Sequence, residues 1–101
     1  MHAAALRFDL HVPQSRSLKA KRAAIRPIVD GLRHRFHCSV AETGYQDQWQ
    51  RAEIALALVA ASDGHLREMI DTVERFVLAA ADVEVLDVEV VHLDNEGTLA
   101  P

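Results

Sequence analysis

Residues 3–12 alternate between apolar and polar positions: Leu6, Phe8, Leu10 and Val12 on one side, Arg7, Asp9 and His11 on the other. A period of two predicts a strand with one face buried and one face wet. Pro13 stops the run, and the polar stretch Gln14–Ser17 follows as a loop. The period then changes. Leu18, Ile25, Ile28, Val29, Leu32 and Phe36 fall into one stripe on a helical wheel, which predicts a core-facing helix from Ser17, its N-cap, to about Phe36. Pro27 lies opposite the stripe, where a lost hydrogen bond and a bend are tolerated best, so the helix is expected to continue through it. Gly31 lies on the same outer side as Ala20, Ala23 and Ala24.

Residues 37–43 read as a second strand, and a polar loop from Gly44 leads to a third, about 51–60, with Ile54, Leu56 and Leu58 on one face. Ser62 or Asp63 caps a second helix, whose Leu66, Met69, Ile70, Val73, Phe76, Val77 and Ala80 form another core stripe. Valine-rich residues 83–93 make a fourth strand. The resulting βαββαβ order is that of a ferredoxin-like α+β sandwich. Right-handed crossovers place both helices on one face of a four-stranded antiparallel sheet with strand order 4-1-3-2. Residues 1–93 form one domain, and 94–101 read as a loose tail.

Composition adds little until charge is resolved along the chain. The 101 residues carry a formal charge of −4. Yet Arg16, Lys19, Lys21, Arg22, Arg26, Arg33 and Arg35 fall in one twenty-residue window with a single acid, Asp30, for a local +6. From Phe36 onward three arginines face thirteen carboxylates, for −10. The one cysteine, Cys38, excludes an internal disulfide framework and suits a reducing compartment. No apolar run approaches the roughly 20 residues that span a bilayer, and the start lacks a secretory signal, so a cytoplasmic location is expected.

Four stretches of this sequence, "LRFDLHVPQSRSLKAKR", "LRHRFHCSVAE", "QDQWQRAEIALA" and "VEVLDVE", resemble the YlxP-like family of small bacterial proteins. The likeness runs from about Leu6 to Glu89, and "SLKAKR" and "QDQWQRAE" are its most specific pieces. It implies a ferredoxin-like fold and a gene commonly placed among those for transcription elongation, translation initiation and ribosome maturation. It implies no catalytic residues.

The topology brings those two specific pieces to one rim, because strand 1 ends and helix 1 begins where strand 2 hands over to strand 3. There Arg16 and Lys19 strengthen the partial positive charge of the helix N-terminus, Trp49 offers a flat face for a base, and Gln46, Gln48 and Gln50 offer hydrogen bonds. The alternative is structural: Ser17 caps the helix, Asp47 accepts the orphan N–H groups or pairs with Arg16 or Lys19, and Trp49 covers the core lip near Leu18.

Along the helix, Lys19, Arg22, Arg26 and Arg33 share a narrow arc that can follow a phosphate backbone, whereas Lys21 and Arg35 are expected to reach outward past the core edge on the other flank. Arg16, Lys19, Arg22, Arg26, Arg33, Trp49 and Arg51 are the candidate contacts to RNA or a ribosomal particle; nothing points to DNA-specific reading. The open sheet face lacks the aromatics of base-stacking modules and instead offers small residues on which two copies can pack as a homodimer. His34, His37 and Cys38 make a poor metal set, and Cys38 has no visible activator. Asp87 and Glu89 fall on an edge strand, where they discourage aggregation. No cofactor site, membrane contact or catalytic constellation is expected, so the chain reads as a non-enzymatic accessory protein.

Overall fold

The computed structural model describes residues 1–93; the tail expected at 94–101 lies outside them. The elements are β1 (His2–His11), α1 (Leu18–Phe36), β2 (Ser39–Gly44), β3 (Arg51–Ala60), α2 (Asp63–Leu78) and β4 (Glu84–Leu93). They form one antiparallel sheet of order β2-β3-β1-β4, the expected order read from the other edge. β1 pairs with β3 along its whole length, from His2↔Ala60 to His11↔Arg51, and lies against β4 on its other side.

That register puts the alternating apolar residues of both central strands under the helices. Leu6, Phe8 and Leu10 meet Ile54, Leu56 and Leu58 in a core completed by Ile25, Ile28 and Leu32 of α1 and Leu66, Ile70, Val73 and Val77 of α2. β4 departs from strict alternation because a bulge intervenes: Asp9 faces Asp87, but Leu10 already faces Val85. Leu86 is the extra residue, and it stands largely exposed.

α1 runs unbroken through Pro27, which is exposed, as is Ala23, the residue whose carbonyl the missing N–H leaves to solvent. Ser17 caps its start by accepting from the Ala20 N–H at 3.0 Å. At its end His37 takes a left-handed conformation (φ 51°) and donates its N–H to the Arg33 carbonyl, so β2 starts at Ser39 rather than at residue 37. Gly31 does not lie on the outer side, as expected, but is half-buried where α1 meets α2. A Cβ there would lie 2.3 Å from Cζ of Phe76, so the missing side chain is what lets α2 approach α1.

Candidate functional site

The two segments that the topology brings together are joined at the rim by backbone and side-chain hydrogen bonds. The Val12 N–H donates to the Gln50 carbonyl at 2.8 Å, and Gln50 Nε2 donates to the Ser15 carbonyl at 3.1 Å and to the Pro13 carbonyl at 3.5 Å. Ser15 is buried beneath this contact, with Oγ donating to the Ser17 carbonyl at 2.9 Å.

The largest correction to the expected picture is Lys21. Its side chain does not reach out to solvent but is fully buried. Nζ donates to the Tyr45 carbonyl at 2.8 Å, the Arg51 carbonyl at 3.1 Å and the Gln46 carbonyl at 3.4 Å, and lies 3.0 Å from Oε2 of Glu42. An unpaired buried ammonium is prohibitively costly; three carbonyls and one carboxylate are the compensation it needs. A signal for this was present in the sequence. Lys21 follows Leu18 by three residues and precedes Ile25 by four and Ile28 by seven, which places it within the apolar stripe rather than beside it.

Three further placements differ from one or other expectation. Arg51 is not unpaired: Nη2 and Nε grip the Asp9 carboxylate at 2.7 and 3.1 Å, and the guanidinium lies 4.5 Å over the Tyr45 ring. The hydrogen bond from Arg51 holds the Asp9 carboxyl below its ordinary value against the opposing effect of desolvation, and Asp9 in turn, first by the same bond, raises the guanidinium. Asp47 makes no cap and no ion pair with Arg16 or Lys19 among the described residues; it is exposed. Leu18 is half-buried, and Trp49 is 55% exposed rather than sealed over the core. Tyr45 takes a left-handed φ of 58°, an uncommon conformation for a bulky residue, held by the bonds to its carbonyl from Lys21 and from the Gln48 N–H at 3.0 Å.

Arg16, Lys19, Arg22 and Arg26 are all exposed, and none takes an ion pair or side-chain hydrogen bond among the described residues. Asp30, four positions beyond Arg26, pairs with neither Arg26 nor Arg33. Arg33 is also exposed but spends Nη2 on the Val40 carbonyl at 3.0 Å, tying α1 to β2. Arg35 lies over the rings of Phe76 and Phe36, 5.1 and 6.0 Å from their centroids, outside the core as expected.

The open sheet face divides in two. Its upper half is a closed ionic network: Arg7 reaches Asp87 at 3.1 Å and Glu53 and Glu89 at 3.3 Å, beside the Asp9–Arg51 pair. Hydrogen bonding to Glu89, and to a lesser degree the neighbouring carboxylates, secures the charge of Arg7. The carboxylates expected to guard the edge therefore serve this network. The lower half is small and apolar, with Ala5, Ala41, Ala57 and Val59 exposed and Ala3, Ala55 and Val91 half-buried.

Cys38 is half-buried, its thiol raised by desolvation and donating to the Leu32 carbonyl at 3.5 Å, the reverse of an activated nucleophile. No trio of histidine, cysteine or carboxylate side chains suited to a metal occurs among the described residues. Likewise, none of their helices is long and apolar enough to cross a membrane.

Fold and rim together define a small α+β sandwich whose first helix presents an unpaired basic flank. Residues 3–90 match the family described as Protein of unknown function (DUF503), and the chain belongs to that family. It is also similar to the Uncharacterized protein YlxP of Bacillus subtilis (strain 168), 34% identical over 68 residues that cover 67% of this chain and 74% of that one.

Proposed function

We propose that this protein is a non-enzymatic accessory factor that contacts RNA, free or in a ribosomal particle, through the basic flank of α1 and the Trp49 loop. One observation carries the reading: in a chain of net charge −4, four cations on one helix and the turn before it remain exposed and unpaired. Arg7, Arg51 and Arg67 are paired with carboxylates elsewhere on the surface. The flank of α1 is not, so its field is available to an anionic partner. Filter binding with a single-stranded RNA oligonucleotide, and sedimentation with ribosomal particles, test the reading. Lys19→Glu, Arg22→Glu and Arg26→Glu together are expected to abolish association at low salt. Association untouched by these changes across salt concentrations reduces the flank to a solvated surface.

A second reading is favoured by the lower half of the open sheet, where exposed Val59 stands among alanines with no charge between them. In it the protein is a homodimeric interaction module packed sheet to sheet, with no nucleic-acid role. Light scattering at high concentration decides: a dimer that Val59→Glu converts to monomer supports it, and a monomer throughout removes it.

A further inference from the structure

The β2–β3 loop is bracketed by one buried atom. Nζ of Lys21 binds the carbonyls of Tyr45 and Gln46 where the loop leaves β2 and the carbonyl of Arg51 where it enters β3. Residues 47–50, with Trp49 among them, span the interval between these anchors. The ammonium also lies against Glu42 Oε2, so strand, loop and helix converge on a single charge. Among the described residues no other hydrogen bond ties Gln46 to α1. Its side chain bonds back only to the Glu42 carbonyl, at 3.3 Å.

We propose that Lys21 is the positioning residue of the interface: its buried ammonium sets the Trp49 loop against the α1 segment that bears Lys19, Arg22 and Arg26. The proposal deepens the RNA reading and rests on it for its functional consequence. The neighbours of Lys21 along the helix face outward to the ligand, while Lys21 faces inward and fixes the aromatic platform relative to them. A methionine can fill the same channel, but it donates nothing, so the three carbonyls lose their common partner. Removing the lysine alone also strands Glu42 without its counter-charge, and the neutral pair Lys21→Met with Glu42→Gln avoids that penalty. Arginine is a poor substitute, because a planar fork cannot converge on three carbonyls as a tetrahedral ammonium does.

Trp49 is the chain's one tryptophan, so its fluorescence reports on this loop alone. The full chain is compared with the Lys21→Met/Glu42→Gln variant and with Lys21→Arg by circular dichroism, tryptophan anisotropy and filter binding to a ten-residue oligouridylate, all well below the melting transition. Expected for the double variant are unchanged dichroism, a fall in anisotropy, and a loss of roughly tenfold in affinity, the worth of one stacked base. Arg22→Gln is expected to weaken binding without moving the anisotropy. If the double variant does not fold, Lys21→Arg takes its place with the same expected changes. Anisotropy equal to that of the unmodified protein in a folded variant overturns the proposal. So does a freed loop with unchanged affinity. An unmodified protein that binds no oligonucleotide, with a variant whose anisotropy nonetheless falls, sinks the RNA reading while leaving Lys21 as the anchor of the loop.

Discussion

The salt dependence of binding tests the basic flank most sharply, because its size follows from a count of available charges. Arg16, Lys19, Arg22 and Arg26 are exposed and unpaired, whereas Arg33 is committed to the Val40 carbonyl and Arg51 to Asp9. Each cation that neutralises a phosphate of a single strand releases condensed counterions and contributes about −0.7 to the slope of log K against log salt. Four contacts give a slope of about −2.8, so raising salt from about 50 to about 200 mM weakens binding roughly fifty-fold. Arg22→Gln with Arg26→Gln leaves two contacts, a slope of about −1.4 and a weakening of roughly sevenfold over the same range. Filter binding of a short single-stranded RNA at five or six salt concentrations measures both slopes. Trp49→Ala acts differently, lowering affinity about tenfold at every concentration with the slope unchanged, since stacking releases no counterions. Equal slopes in the unmodified protein and the double-glutamine variant refute the assignment even if both bind, for the contacts must then lie elsewhere.

Other residues make expectations of their own. Ser17→Ala deletes the cap on the Ala20 N–H and is expected to cost about 1 kcal/mol, a lowering of roughly 4–8 °C in a thermal melt. Gly31→Ala gains up to about 1 kcal/mol in helix propensity but drives a methyl against Phe76, whose ring is held between Phe36 and Arg35; with overpacking at about 1–3 kcal/mol the net change is destabilising, and Phe76→Leu in the same chain is expected to recover part of it. Asp9→Asn separates a pH effect. The folded carboxyl lies below its ordinary 3.8, so its contribution to stability is fully present above that value and is lost as pH falls from there through the depressed folded value. The melting-temperature gap between the two proteins is therefore expected to be constant from neutral pH to about pH 5 and to close only in stronger acid. A gap that closes near pH 6 contradicts the Arg51 pairing.

Much of this molecule is legible in local pattern. Alternation in β1 and β3 decides which side chains face the helices, and the 3.6-residue stripes of α1 and α2 decide which faces they turn inward, because burial selects a period before any partner is specified. The strand order follows from short, right-handed connections among six elements. Ser17 as cap is equally local, needing only the chain three residues ahead. The meeting of the helix-start segment with the Gln50 region is legible too, since topology alone puts both at one rim.

What local pattern does not contain is the direction a long polar side chain takes once a distant backbone arrives beside it. Lys21 turns inward because carbonyls 24, 25 and 30 residues further along the chain converge above α1. Arg51 turns across the sheet because Asp9, 42 residues earlier, is its diagonal neighbour on β1, two residues from its register partner His11, and Tyr45 offers it a ring. Asp47, given a role at the helix start from its chemistry, is exposed, and the Ala20 N–H is capped by Ser17 instead. The identities of the charges belong to the sequence. Which of them cancel one another, and which remain for an outside partner, is decided by distances that exist only after the sheet has closed, because an ion pair is worth something only between groups a few ångströms apart.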